Sequence, residues 1–134
     1  MASVGAVNTP SPLPAQRRRR ARAAVDALGA HRGDHLRLRV SCSRSHHVAS
    51  IYETASGLVY TAPCTAHAHG SRDYVDAPHG VEPCGHEWAD VLAVANDLMA
   101  DDELPAGCEC GPRTLSRTEL LRAVAAHRRH LRVS

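Results

Sequence analysis

Residues 35–40 alternate, with Leu36, Leu38 and Val40 on one side of the chain and Arg37 and Arg39 on the other. A period of two predicts a half-buried strand, and this one runs straight toward Cys42. Residues 48–53 and 58–61 are rich in β-branched and aromatic side chains and read as two more strands. The short Ala55-Ser56-Gly57 turn between them predicts a hairpin. Between residues 16 and 28 the chain turns to Arg and Ala, both good helix formers. Ala21, Ala24, Val25 and Leu28 share a face there, and Gly29 and Gly33 end the helix. Residues 87–99 return to helical spacing through Trp88, Leu92, Ala95 and Leu98, which predicts a second helix. The final helix has the clearest start: Ser116 with Glu119 three positions on is a capping box. Leu120, Leu121 and Val124 give it a buried face to about His127. Residues 130–133 alternate again and read as a short edge strand or a frayed helix end.

Two stretches carry no period. Residues 1–15 are small, Pro-punctuated and nearly uncharged, and read as a disordered tail. Residues 63–85 are rich in Gly, Pro, His and Asp and read as a long loop, a length that is uncommon without a function. Asp101, Asp102 and Glu103 oppose the macrodipole at the end of the expected second helix and so belong to the loop after it.

Composition sharpens the question of what holds such a chain together. Of 134 residues, the aromatic ones are Trp88, Tyr52, Tyr60 and Tyr74, with no Phe. Ala inflates the apolar fraction while adding little buried area, so the core is a modest driver and a staple is expected. Five cysteines are present: Cys42, Cys64, Cys84, Cys108 and Cys110. The arginines at 17–20 are not followed by a long apolar run, which argues against a secretory or twin-arginine signal. No segment approaches the ~20 apolar residues of a membrane span. The expectation is a cytoplasmic protein, in which an odd cysteine count points to metal or free thiols.

Structural zinc draws four Cys or His ligands as two close pairs from two turns. Cys42 and His46 form one such pair, with His47 as the alternate to His46, and Cys108 and Cys110 form the other. Gly111 follows the second pair, where a knuckle turns its N–H groups toward the sulfurs and favours positive φ. One structural Zn²⁺ on Cys42, His46, Cys108 and Cys110 is therefore expected. A strand, Cys-x-x-x-His, a hairpin, then Cys-x-Cys-Gly and a helix resembles the pattern of small zinc-ribbon-like proteins of GC-rich bacteria. The resemblance covers residues 36–61 and 104–127. The two knuckles here lie about sixty residues apart, and Cys-x-Cys is one residue tighter than the common Cys-x-x-Cys. The fold class expected is α+β: a small antiparallel sheet with a β-hairpin, two or three short helices and zinc-ribbon-like knuckles. In domain terms, residues 16–33 form a basic helical arm, and 34–134 a single zinc-stapled domain.

Other constellations are weaker. Cys64, His67, His69, His79, Cys84 and His86 could hold a second metal, but no Gly-framed knuckle accompanies them, so a polar loop with incidental histidines is the preferred reading. His86-Glu87-x-x-Asp90 lacks the second His of a metalloprotease helix. Pro83-Cys84 lacks the His-x-Glu and second Cys of a zinc deaminase. The His46-His47 pair entering a hairpin is similar to the general-base strand of ββα-metal nucleases, and a metal-dependent nuclease is the enzyme alternative. Asn96 falls in the expected helix rather than where that pattern needs an asparagine. A closed four-ligand site favours a non-enzymatic module.

Charge is segregated. Residues 1–47 carry +7, residues 48–110 carry −10 and residues 111–134 carry +5, for a net +2. The basic ends have an internal partner in the acidic middle, and for the final helix that is the preferred reading. The arm (Arg17, Arg18, Arg19, Arg20 and Arg22) has no obvious internal partner, and is expected to contact protein or nucleic acid.

Overall fold

The computed structural model describes residues 14–63, 87–94, 102–108 and 110–134. In chain order its elements are α1 (Pro14–Asp26), a 3-10 segment (Gly29–His35), β1 (Leu36–Cys42), β2 (His47–Thr54), β3 (Gly57–Ala62), β4 (Trp88–Val91), β5 (Glu103–Cys108), β6 (Gly111–Ser116), α2 (Arg117–Ala125) and β7 (His130–Val133). The class is α+β. One five-stranded sheet runs β4-β3-β2-β1-β7, and β5 and β6 form a separate two-stranded sheet.

The three alternating segments become three consecutive antiparallel strands, with Leu38 opposite Ile51 and Ile51 opposite Tyr60. The β2–β3 turn closes through Thr54, whose hydroxyl donates to the Gly57 carbonyl at 2.8 Å and accepts from the Ser56 amide at 3.0 Å. Gly57 sits at φ +99°, a conformation glycine adopts without a Cβ penalty. Alternation in residues 130–133 also resolves as a strand, and it pairs parallel to β1 with Arg39 opposite His130. The large sheet is therefore mixed, because its last strand returns alongside its first.

Two elements differ from the periodicity. Residues 88–91 form strand β4, with Tyr60 opposite Asp90, where helical spacing predicts a helix. The open edge of β3 offers a ladder of backbone partners, and tertiary pairing outweighs a weak local preference. Residues 95–101 lie outside the described ones, as do residues 1–13 of the expected tail and all of 64–86, which take in most of the expected loop. The second difference begins at Glu103, which the sequence assigns to a loop and which instead opens β5, paired with β6 in a hairpin. A proline is tolerated there because a two-stranded sheet consists only of edges.

One face of the large sheet carries the main core: Leu38, Val40, Ile51 and Tyr60 from the sheet, Leu104, Ala106 and Leu115 from the small hairpin, and Leu120 and Ala123 from α2. Each fully buried Leu or Ile contributes about 1.5–3 kcal/mol. Tyr60 spans the two sheets, its buried hydroxyl donating to the Pro105 carbonyl at 2.7 Å, and burial pushes its pKa upward. Among the described residues the opposite face is covered by α1, whose Ala21 and Val25 meet Val59 of β3 and Ala89 of β4. Pro14 opens α1 at a position where its missing N–H leaves nothing unsatisfied.

α2 starts as its sequence implies, with the Ser116 hydroxyl accepting from the Glu119 amide at 3.1 Å. Asp102 adds a second cap from outside the helix, accepting from the Thr118 amide at 2.9 Å and from the Thr118 and Ser116 hydroxyls. Those bonds, the Thr118 hydroxyl first, hold the Asp102 carboxyl below its ordinary value. A depressed carboxyl stabilises the fold at neutral pH, and that contribution is lost as acid protonates it.

Asp90 joins the N-terminal helix to the C-terminal one. Its carboxylate is buried and receives both Nε and Nη2 of Arg17, at 2.7 and 3.0 Å, with Arg117 Nη2 at 3.5 Å. Arg117, the first residue of α2, also donates to the carbonyls of Val91 and Leu92 at 2.6 and 3.0 Å. Basic ends thus close on the acidic middle through one buried group. Removing one partner from a buried pair leaves an uncompensated charge. Asp90→Ala is therefore expected to cost about 3–5 kcal/mol in urea unfolding, and a loss within error of zero would refute this role.

Candidate metal centre

Two hairpin tips meet at one end of the molecule. The first follows β1, where the Cys42 amide donates to the His46 carbonyl at 2.9 Å and the Ser45 amide to the Cys42 carbonyl at 2.8 Å. Ser45 takes a positive φ of 69° to make that turn. The second tip joins β5 to β6, with Cys108 paired to Gly111 across the turn. Gly111 adopts φ +126°, a region that disfavours any residue with a Cβ.

The tips bring Cys42, His46, Cys108 and Cys110 together, with one ligand atom from each lying within 4.8 Å of all the others. Cys110 Sγ and His46 Nδ1 are 3.5 Å apart. In each tip a backbone amide two residues on points at a sulfur: Arg44 N at 3.3 Å from Cys42 Sγ and Cys110 N at 3.4 Å from Cys108 Sγ. Amides aimed at thiolate sulfurs are the second layer that tunes a metal ligand. The four residues could hold a metal ion.

Burial runs in a gradient across the set. Cys42 is buried, Cys108 and His46 are intermediate and Cys110 is exposed. Burial alone would raise the Cys42 thiol, but hydrogen bonds from the Arg44 and His46 backbone and from Cys108 and Cys110 outweigh it and bring it to about 6. Cys110 moves the other way, raised by desolvation and by Cys108 and Cys42 beside it. One thiol of the group is thus primed as a thiolate while Cys110 resists a second negative charge. That is the electrostatic condition a cation relieves.

Compared with protein-family models, with curated proteins and with solved structures, the chain matches none.

Both histidines of the pair have a place. His46 Nδ1 faces the sulfurs, while His47 Nε2 lies 2.8 Å from Ser50 Oγ at the start of β2. Burial first, and then the Arg39 charge, lowers the His47 pKa. Cys64, His67, His69, His79, Cys84 and His86 lie outside the described residues. Among the described residues no other group of three or more His, Cys, Asp or Glu converges in this way, and no helix is long and apolar enough to cross a membrane.

One contributor to the site carries no signal in the sequence. Arg132 of β7 reaches back to the first tip, its Nη1 donating to the carbonyls of Cys42 and Ser43 at 3.2 Å each and lying 3.4 Å from Ser45 Oγ. It adds a second donor to the Cys42 carbonyl, which already accepts from Ser45, and one to the Ser43 carbonyl, and so braces the loop between the first two donors. Only the parallel β1–β7 register places it there, since Ser41 lies opposite Arg132. Loss of an outer-layer partner typically weakens metal binding 10–100-fold. Arg132→Ala is expected to fall in that range when metal affinity is measured by chelator competition, with Arg122→Ala on α2 as an unchanged control.

Proposed function

We propose that this protein is a non-catalytic module whose fold is locked by one structural zinc ion on Cys42, His46, Cys108 and Cys110, and that its folded surface serves a macromolecular partner. The observation that carries this reading is the convergence of three sulfurs and one imidazole nitrogen from two separate hairpin tips. Soft thiolates with one imidazole suit Zn²⁺ over harder cations. Zn–S bonds of ~2.3 Å and Zn–N bonds of ~2.0 Å imply donor separations of about 3.3–3.8 Å in a tetrahedron, and the 3.5 Å between Cys110 Sγ and His46 Nδ1 falls in that range. Four protein donors fill a tetrahedron and leave no position for the water a catalytic zinc would activate. The site then has a mechanical task. It fastens the end of β1 to the β5–β6 hairpin, so that metal-binding free energy becomes folding free energy.

Of the two histidines a nuclease could use as its base, His46 faces the sulfurs, and His47 is engaged with Ser50 and half-buried, which favours the structural reading over the catalytic one.

Purified protein is expected to contain one equivalent of zinc and to lose its cooperative thermal transition when a strong chelator removes it. Cys108→Ser should bind well under half an equivalent and unfold at a lower temperature. Full stability in the chelator, with no zinc in the untreated protein, would overturn the proposal.

A further inference from the structure

Among the described residues, α1 covers the sheet face opposite the main core at β4, β3 and part of β2, and nothing covers its β1–β7 half. On that uncovered half Arg39 of β1 lies opposite His130 of β7, and Ser41 lies opposite Arg132. Leu131 and Val133 point to the core side, so alternation along β7 turns His130 and Arg132 outward with Arg39. All three are exposed. Arg128 and Arg129, also exposed, lead into β7, and the Arg39 amide bonds the Arg129 carbonyl at 3.0 Å. Exposed Arg44 stands in the Cys42 knuckle at the far end of the same two strands. Four paired positions at ~3.3 Å each make this a strip of about 10 Å with cations along it and beyond both ends.

Among the described residues no acid interrupts it. Residues 35–52 and 120–134 contain no Asp or Glu. Of the described acids that flank these segments or sit on the same sheet, Glu53 pairs with Arg37, Glu87 with Arg32 and Asp90 with Arg17 and Arg117, while Asp34 lies in the 3-10 segment before β1. Asp102, Glu103 and Glu119 belong to the β5–β6 hairpin and α2, on the other side of the sheet. The basic arm is less available than its composition suggests, since Arg17 holds Asp90 and Arg18 lies 4.7 Å over the Trp88 ring.

The aromatic side chains narrow the partner. Tyr60 is buried, Tyr52 lies under Arg32 at 4.7 Å and Trp88 under Arg18. Among the described residues no ring stands open as a platform for unstacked bases, which argues against single-strand binding. A charged, ring-free strip suits a regular ladder of phosphates, read without sequence preference.

From this we infer that the β1–β7 half of the large sheet, centred on Arg39, Arg129 and His130, binds the phosphate backbone of a nucleic-acid duplex. The inference rests on the reading of the protein as a folded module that serves a macromolecular partner, and names that partner's class and the surface that meets it.

The test uses zinc-replete full-length protein and a fluorescein-labelled random-sequence 20-bp DNA duplex, with anisotropy read between 50 and 200 mM salt. Wild type should bind with a steep salt dependence. Arg39→Ser/Arg129→Ser should weaken binding at least tenfold at 50 mM salt and make the log–log slope shallower by about 1.8, at ~0.9 for each phosphate no longer neutralised. Arg19→Ser/Arg22→Ser on α1 should stay within twofold of wild type. If the first double variant melts lower than wild type, Arg128→Ser/His130→Gln reads the same strip. An unchanged affinity and slope in the strip variants, or a loss confined to the α1 variant, overturns the proposal. So does binding of polyglutamate through Arg39 with none to the duplex, which would mark an acidic protein as the partner. Zinc content measured on each sample separates the two readings. Zinc-replete protein that ignores the duplex sinks this inference alone, and zinc-free, folded protein that binds through Arg39 sinks the structural zinc alone.

Discussion

Two hairpin tips from two different sheets have to meet within 4.8 Å for Cys42, His46, Cys108 and Cys110 to share one point, and most of the architecture follows from that meeting. Besides the site, the small β5–β6 sheet is tied to the large one through the shared core. Tyr60 donates across to Pro105, and Leu104, Ala106 and Leu115 reach the common core. Both turns carry the backbone geometry the meeting requires, positive φ at Ser45 and at Gly111, and each aims an amide at a sulfur. Strain and directed dipoles of this kind persist where the surroundings enforce them. Here the surroundings include the β7 strand, which supplies Arg132 to the first turn.

A second organising group is Asp90. It neutralises Arg17 from α1 and Arg117 from α2, so the two helices on opposite faces of the sheet are tied through one carboxylate in the β4 edge strand. The chain's basic–acidic–basic order is thereby converted into a gradient across the sheet. The β4 side holds Glu87 and Asp90 in ion pairs, and on the β1–β7 side Arg39 stands exposed to water.

Much of this was legible in the chain because the informative signals are local. Alternation at Leu36, Leu38 and Val40, the tight turn at Ala55-Ser56-Gly57 and the Ser116 cap each follow from neighbours within a few residues, and each element stands where those neighbours imply. The four donors were legible for a related reason: a close pair of ligands on one turn is itself a short-range pattern. The elements that escaped are defined by distant partners. Trp88–Val91 has helical spacing, yet the edge of β3 recruits it as a strand. Pro105 and Gly107 look like loop residues, yet β6 supplies the pairing. Asp102 reads as an awkward charge after a helix and serves instead as a cap for the next one. The partner of Arg17 is invisible in the sequence because Asp90 lies 73 residues away.

The parallel pairing of β7 with β1 has a consequence for the order in which the molecule is assembled. Arg132 and Cys42 are separated by 90 residues, so the outer edge of the first strand has no neighbour until the last one is in place. Contacts of such long range are slow to close, because the intervening chain must first give up its freedom. During that interval β1 is an open strand edge, the feature through which nascent chains most readily stick to one another. Arg37 and Arg39 stand on that strand, and charges on an unfinished edge repel a second copy of it. Arg39, exposed on the finished sheet, and Arg37 thus act beforehand as gatekeepers of solubility, guarding the seam until its own strand arrives to close it.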